Sequence, residues 1–161
     1  MKEKAKKIMA IIIAIAVCHL AGIIGSLFTR PAISSWYVFI QKPFFSPPNW
    51  IFTPIWLLLY TLMGISLFLV WNEGFEKHDV KFAVYVFLGS LVLNSLWSII
   101  FFGMKNILAA FFEICLLFFV LVFVFIRFYH IKKTAAYLLI PYILWVLFAG
   151  ILNYSIFVLN I

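Results

Sequence analysis

Five apolar runs, uncharged but for Glu113 in the fourth, fill nearly the whole chain, at roughly 8–29, 49–72, 82–104, 106–126 and 134–159, and nothing else in the sequence narrows the fold as much. About 20 mainly apolar residues carry a helix across the hydrocarbon core of a bilayer. Inside lipid only helices and closed barrels satisfy their own backbone polar groups, and runs of this length are helical. The predicted class is therefore an all-α integral membrane protein, a five-transmembrane-helix bundle forming one domain over 1–161. Composition agrees: with 67% hydrophobic and 11% charged residues, the polar surface is too small to cover a water-soluble globule. The lysine-rich start of span 1 resembles a signal peptide. It lacks a small-residue cleavage site and exceeds a typical h-region, so it is kept as a span.

A net charge of +7 would point to nucleic acid in a soluble protein; here its distribution along the chain sets topology instead. With the N-terminus inside, Lys2, Lys4, Lys6, Lys7, Lys77, Lys81, Arg127, Lys132 and Lys133 share the inner side, against Arg30, Lys42 and Lys105 on the other. The expected placement is a prokaryotic cytoplasmic membrane, N-terminus in and C-terminus out, with no nucleic-acid partner. Cys18 and Cys115 fall within apolar runs, where a thiol behaves as a small hydrophobe. No Cys/His cluster has metal-ligand spacing, and neither a phosphate-binding glycine loop nor a nucleophile motif is present. The expectation is no metal and no required cofactor.

Polar and small residues inside the spans mark the faces that turn away from lipid. In span 1, Gly22 and Gly25 permit close helix approach, His19 is placed to hydrogen-bond a neighbouring helix, and Arg30-Pro31 is expected to end the helix. The loop 32–48 is aromatic rather than polar, with Trp36, Tyr37, Phe39, Phe44 and Phe45. It is either an interfacial belt or a lid, stiffened by Lys42-Pro43 and Pro47-Pro48. Three stripes at helical spacing face the bundle: Thr53, Trp56, Tyr60 and Gly64 in span 2; Ser90, Asn94, Trp97 and Phe101 in span 3; Pro141, Trp145, Ala149 and Asn153 in span 5. Span 4 carries the one acid within a span, Glu113, about 10 Å along the helix from its start. Intramembrane acids are functional candidates by default; the competing reading is a protonated or hydrogen-bonded glutamate locking helices together. Stripes combining Trp with small or polar residues fit a cavity for a planar, mostly apolar ligand with a polar edge, and packing alone is the alternative. Gly89-Ser90 and Ala83 on span 3 could support a homodimer or pack within one subunit.

Taken in order, Trp36-Tyr37, Lys42-Pro43, Pro47-Pro48-x-Trp50, Pro54-x-Trp56, Tyr60, Gly64, Asn94-x-x-Trp97-Ser98, Pro141-Tyr142-x-x-Trp145, Phe148-Ala149 and Leu152-Asn153 resemble the translocator protein family, the tryptophan-rich sensory proteins (TspO/MBR). The likeness covers all five spans. It implies a five-helix bundle, often a homodimer, that binds porphyrins and haem-related tetrapyrroles in transport, buffering or stress-linked sensing. By motif it implies a ligand pocket from Trp50, Tyr60, Asn94, Trp97, Trp145, Phe148 and Ala149, with Trp36, Lys42 and Pro43 in its cover. Glu113 resembles the acid that family members carry in their fourth span. The likeness also permits an enzymatic alternative, light-dependent porphyrin degradation with Trp50 and Trp145 as redox-active rings. An ion channel or proton-coupled transporter ranks below both, since no charged relay is visible within the spans. The cholesterol pattern expected at the end of span 5 needs a Lys or Arg after Leu152-Asn153-Tyr154, and none follows. Val124, Tyr129 and Lys132 match it formally, but the pattern is permissive enough for chance. Cholesterol is therefore not the expected ligand.

Overall fold

The computed structural model describes residues 2–161; the side chain of Lys2, counted above among the basic residues, lies outside that description. Five helices follow in order: α1 (Lys2–Ala32), α2 (Asn49–Trp71), α3 (His78–Ser98), α4 (Ile107–Ile131) and α5 (Lys133–Leu159). Among the described residues there is no strand. All five helices are long and apolar enough to cross a membrane, and large side chains such as Leu20, Leu27, Phe112, Phe119 and Leu144 point outward. Exposing such groups to water forgoes about 25 cal/mol per Å² of apolar area. Against acyl chains that penalty disappears, and the molecule is an integral membrane protein.

Around the bundle each helix packs on two principal neighbours, in the order α1, α2, α5, α4, α3 and back to α1. Short connections hold this arrangement at the end that carries the N-terminus. Lys132 alone joins α4 to α5: its N–H donates to the Phe128 carbonyl (2.6 Å) and its own carbonyl accepts from Ala135 N–H (3.0 Å). The α2–α3 connection is tied to this corner by Lys132 to Glu73 (2.9 Å), and the first turn of α3 by Arg127 to Asp79 (2.8 Å). The hydrogen bond and charge of Lys132 hold the Glu73 carboxyl below the usual carboxylate range.

The half of the bundle near these turns is solid, with Met63, Leu67, Phe87, Leu121, Phe128 and Leu139 fully buried. Gly64 makes that density possible, because α1 crosses it with the Ile15 backbone against the glycine. At the opposite end a smaller cluster gathers Tyr37, Phe101, Ala110, Leu152 and Ile156.

Helix α1 does not stop at Arg30-Pro31. It runs through Pro31 to Ala32 and continues as a π-helical turn, Ile33–Tyr37. Proline lacks an N–H and its ring crowds the preceding turn. A widened turn is one way a helix absorbs such a defect, and the Ser35 hydroxyl donates to the Pro31 carbonyl (2.7 Å). The connection to α2 is therefore 38–48, shorter than expected. A second π-helical turn, Ile99–Gly103, follows α3. The chain then reverses through Lys105 at φ 55°, and the Asn106 side chain caps α4 by accepting from Ala109 N–H (3.0 Å).

Candidate functional site

At the end of the bundle where the 38–48 connection lies, the helices enclose a cavity of about 350 Å³ instead of a packed core. Its aromatic walls come from Phe52, Trp56 and Tyr60 of α2, Trp97 of α3 with Phe101 and Phe102 of the turn that follows, Trp145 of α5, and Tyr37 of the turn after α1. The rings brace one another. Trp56 stacks on Tyr60 (centroids 5.2 Å apart, planes 24°), Trp97 stacks on Phe101 (5.1 Å, 22°), and Trp145 meets Phe52 edge to face (5.9 Å, 71°). Offset stacks and edge contacts of this kind fix ring orientation.

Polar groups at the cavity wall are held by a few hydrogen bonds between helices. The Tyr60 hydroxyl donates to Asn94 Oδ1 (2.5 Å). Trp97 Nε1 donates to Asn153 Oδ1 (3.1 Å), and Asn153 Nδ2 donates to the Ile107 carbonyl (2.9 Å), so one amide joins α3, α4 and α5. His19 sits 3.1 Å from Thr61 Oγ1. The Thr61 hydroxyl already donates to the Leu57 carbonyl (2.8 Å), so His19 Nε2 is the donor between α1 and α2.

Of the residues anticipated for the pocket, Tyr60, Asn94, Trp97, Trp145 and Ala149 line the cavity together. The others do not. Trp50 is 72% exposed on the outside of α2. At 100° per residue it is turned about 120° from Trp56, and Trp56 is the α2 indole that reaches the interior. Phe148 stands behind Trp145 (centroids 5.5 Å) and against Phe45 (6.3 Å). Trp36 meets Phe101 edge to face (5.6 Å), one layer out. Lys42 donates to the Tyr37 and Ile40 carbonyls (2.7 and 3.1 Å) and lies over the Tyr37 ring (4.7 Å), bracing a lining residue from above. Pro43 accepts from Ser46 N–H (3.0 Å) in the turn beyond.

Glu113 also lies outside the cavity, although its helix neighbours Ile114 and Leu117 line it. Both carboxyl oxygens are buried without a hydrogen-bond partner. Among the described residues Glu113 makes no hydrogen bond to another helix. In span 5, Pro141 is exposed and Tyr142, one residue on, is the buried side chain. Ala83 and Ser90 are fully buried within the single chain, while nothing lies within 4 Å of a Cβ placed on Gly89.

Sequence reasoning missed the contribution of α1, which supplies His19, Gly22, Ile23, Gly25, Ser26 and Thr29 to the wall. Those residues carry no aromatic signal. Glycine supplies closeness instead: a Cβ at Gly22 would overlap the Tyr60 ring, and one at Gly25 would come within 2.9 Å of Ser98 Oγ.

Comparison with known proteins gives consistent matches. The TspO/MBR family profile matches residues 14–159. The tryptophan-rich protein TspO of Archaeoglobus fulgidus is 43% identical over 155 residues, 96% of this chain and 97% of that one. Its counterpart in Chlorobaculum tepidum is 39% identical over 96% of this chain and 98% of its own. The translocator protein of Bos taurus is 36% identical over 84% of this chain and 80% of its own.

Proposed function

Because this chain belongs to the TspO/MBR family, we propose that it is a membrane receptor for porphyrins and related tetrapyrroles, which it holds in the aromatic cavity for transport, buffering or sensing. One observation carries the reading: indoles from three different helices, Trp56, Trp97 and Trp145, converge on a single cavity within the membrane-spanning bundle. Flat π surfaces bind flat π ligands. The Tyr60–Asn94 pair and the Asn153 amide add polar groups that can meet pyrrole nitrogens or a polar edge. A cavity of about 350 Å³ falls at the lower end of the range of small-molecule sites, about 300–1,000 Å³. A macrocycle seated there leaves one edge at the opening.

Photo-oxidative degradation would use Trp145 beside the ligand, but its supposed partner Trp50 faces outward, so that redox pair is not assembled. Binding without conversion is the function the geometry supports best. Titration of the purified protein in nanodiscs with protoporphyrin, followed by tryptophan fluorescence, tests it. Saturable quenching should fall in Trp56→Phe and Trp145→Phe, and should survive in Trp50→Phe. Equal quenching in all three variants would remove the site.

A further inference from the structure

The cavity is not closed on all sides, and its open side lies on the flank of the bundle. Its exposed lining residues are Ile23 and Arg30 on α1 and Asn49, Thr53 and Leu57 on α2. The gap therefore lies between these two helices, in the half of the bundle nearer the 38–48 connection. The packing explains why. Near the middle of the membrane α1 and α2 touch through Ile15 and Gly64, Gly22 and Tyr60, and His19 and Thr61. Further along, α1 leans on α3 instead: Ser95 Oγ donates to the Ala21 carbonyl (3.0 Å), Gly25 lies on Ser98, and Phe28 lies on Gly103. Held to α3, α1 parts from α2 and leaves a V-shaped mouth.

The 38–48 connection, by contrast, is fastened down. Gln41 N–H donates to Asn160 Oδ1 (3.0 Å) and Asn160 Nδ2 donates to the Gln41 carbonyl (2.9 Å). Lys42 is held by two carbonyls, and Phe45 packs on Phe148. No residue of 38–48 lines the cavity.

At the rim of the mouth stands Arg30, the only Lys, Arg, Asp or Glu side chain lining the cavity, with no ion-pair or hydrogen-bond partner among the described residues. An arginine at a helix end keeps its head at the membrane interface while its stem runs along apolar surface. Its planar fork pairs with carboxylates in two parallel bonds.

We propose that the α1–α2 gap is a lateral portal through which a planar amphiphile bearing a carboxylate passes from the bilayer into the cavity, its ring system among the indoles and its acid on Arg30. This deepens the tetrapyrrole reading and rests on it for the identity of the ring system. A lipid headgroup could offer Arg30 the same anionic chemistry, so the test must separate the two sources.

Protein in zwitterionic nanodiscs is titrated with protoporphyrin, which carries two carboxylates, and with its dimethyl ester, which carries none. Arg30→Gln is expected to weaken the acid about tenfold and leave the ester unchanged, as loss of one charge-assisted contact predicts. Equal effects on acid and ester, or no effect on either, would return Arg30 to the headgroups and overturn the acid subsite. Thr53→Trp, which plugs the mouth, should slow association of both ligands about tenfold, while Phe44→Trp on the connection leaves it unchanged. Faster association in Asn160→Ala together with an unaffected Thr53→Trp would place the way in at the connection and refute the portal. Should the wild type bind neither ligand, the tetrapyrrole reading fails and the portal is read separately. A fluorophore on Thr53→Cys quenched by brominated acyl chains supports it, and one quenched only by aqueous iodide overturns it.

Discussion

Replacing Gly64 with alanine probes the α1–α2 crossing on which the dense half of the bundle depends. A Cβ built there lies 2.5 Å from the Ile15 Cα and 2.9 Å from its backbone nitrogen. Both partners are backbone, so neither can swing aside as a flexible side chain would, and α1 must shift bodily by about an ångström to reach ordinary contact distance. Overpacking of this kind costs about 1–3 kcal/mol. The replacement also gains about 0.5–1 kcal/mol, because alanine gives up less conformational freedom than glycine in a helix. The crowding wins, and Gly64→Ala should be less stable by about 1–2 kcal/mol, lowering the thermal midpoint by roughly 2–8 °C for a chain of this size. Two other glycines serve as controls. Nothing lies within 4 Å of a Cβ at Gly89, and one at Gly150 meets Ile114 at an ordinary 3.7 Å. Gly89→Ala should be neutral or stabilising and Gly150→Ala near neutral. Thermal unfolding of the three variants in one detergent, followed by intrinsic fluorescence, decides the matter. A Gly64→Ala protein as stable as Gly89→Ala would refute the close crossing and the geometry of the mouth above it.

The remaining predictions concern hydrogen bonds and charge. Asn153→Leu strips the Trp97 indole N–H of its acceptor and the Ile107 carbonyl of its donor, so it should cost about 1–3 kcal/mol and shift the Trp97 indole proton resonance, whereas Ser155→Ala on the outer face should do neither. The Glu73–Lys132 pair contributes stability that is present above the ordinary carboxyl value of 4.5 and lost as pH falls through the lower value Glu73 has when folded. The difference in thermal midpoint between the wild type and Lys132→Met should therefore be constant from neutral pH down to about the ordinary value of 4.5, shrink as pH falls further, and be gone below the lower folded value. A difference that instead vanished on raising the pH through neutrality would assign it to another group.

The membrane-spanning helices were readable from the sequence because bilayer thickness imposes a length that composition cannot hide. Helical periodicity also placed Tyr60, Asn94, Trp97, Trp145 and Ala149 inward. Trp50 shows where motif and geometry part: it sits in the Pro-Pro-x-Trp signature, but its angular position on α2 turns it out, and Trp56 is the α2 indole that lines the cavity. Pro31 misled for a different reason. The bias of the residue before proline away from helix is local, and α1 continues past it into the turn Ile33–Tyr37. The face of α1 was least legible, because glycine, serine and threonine mark close packing without saying against what. Only the third dimension reveals that α1 follows α3 and leaves α2, which is what opens the mouth at Arg30.

Filling the cavity tests the central claim most directly. Ala149 lines it, whereas Leu147 points outward. With protoporphyrin titrated into nanodiscs, Ala149→Trp should weaken binding at least about tenfold, equivalent to about 1.4 kcal/mol, and Leu147→Trp should bind as the wild type does. Equal affinity in Ala149→Trp and the wild type would mean that the ligand lies elsewhere.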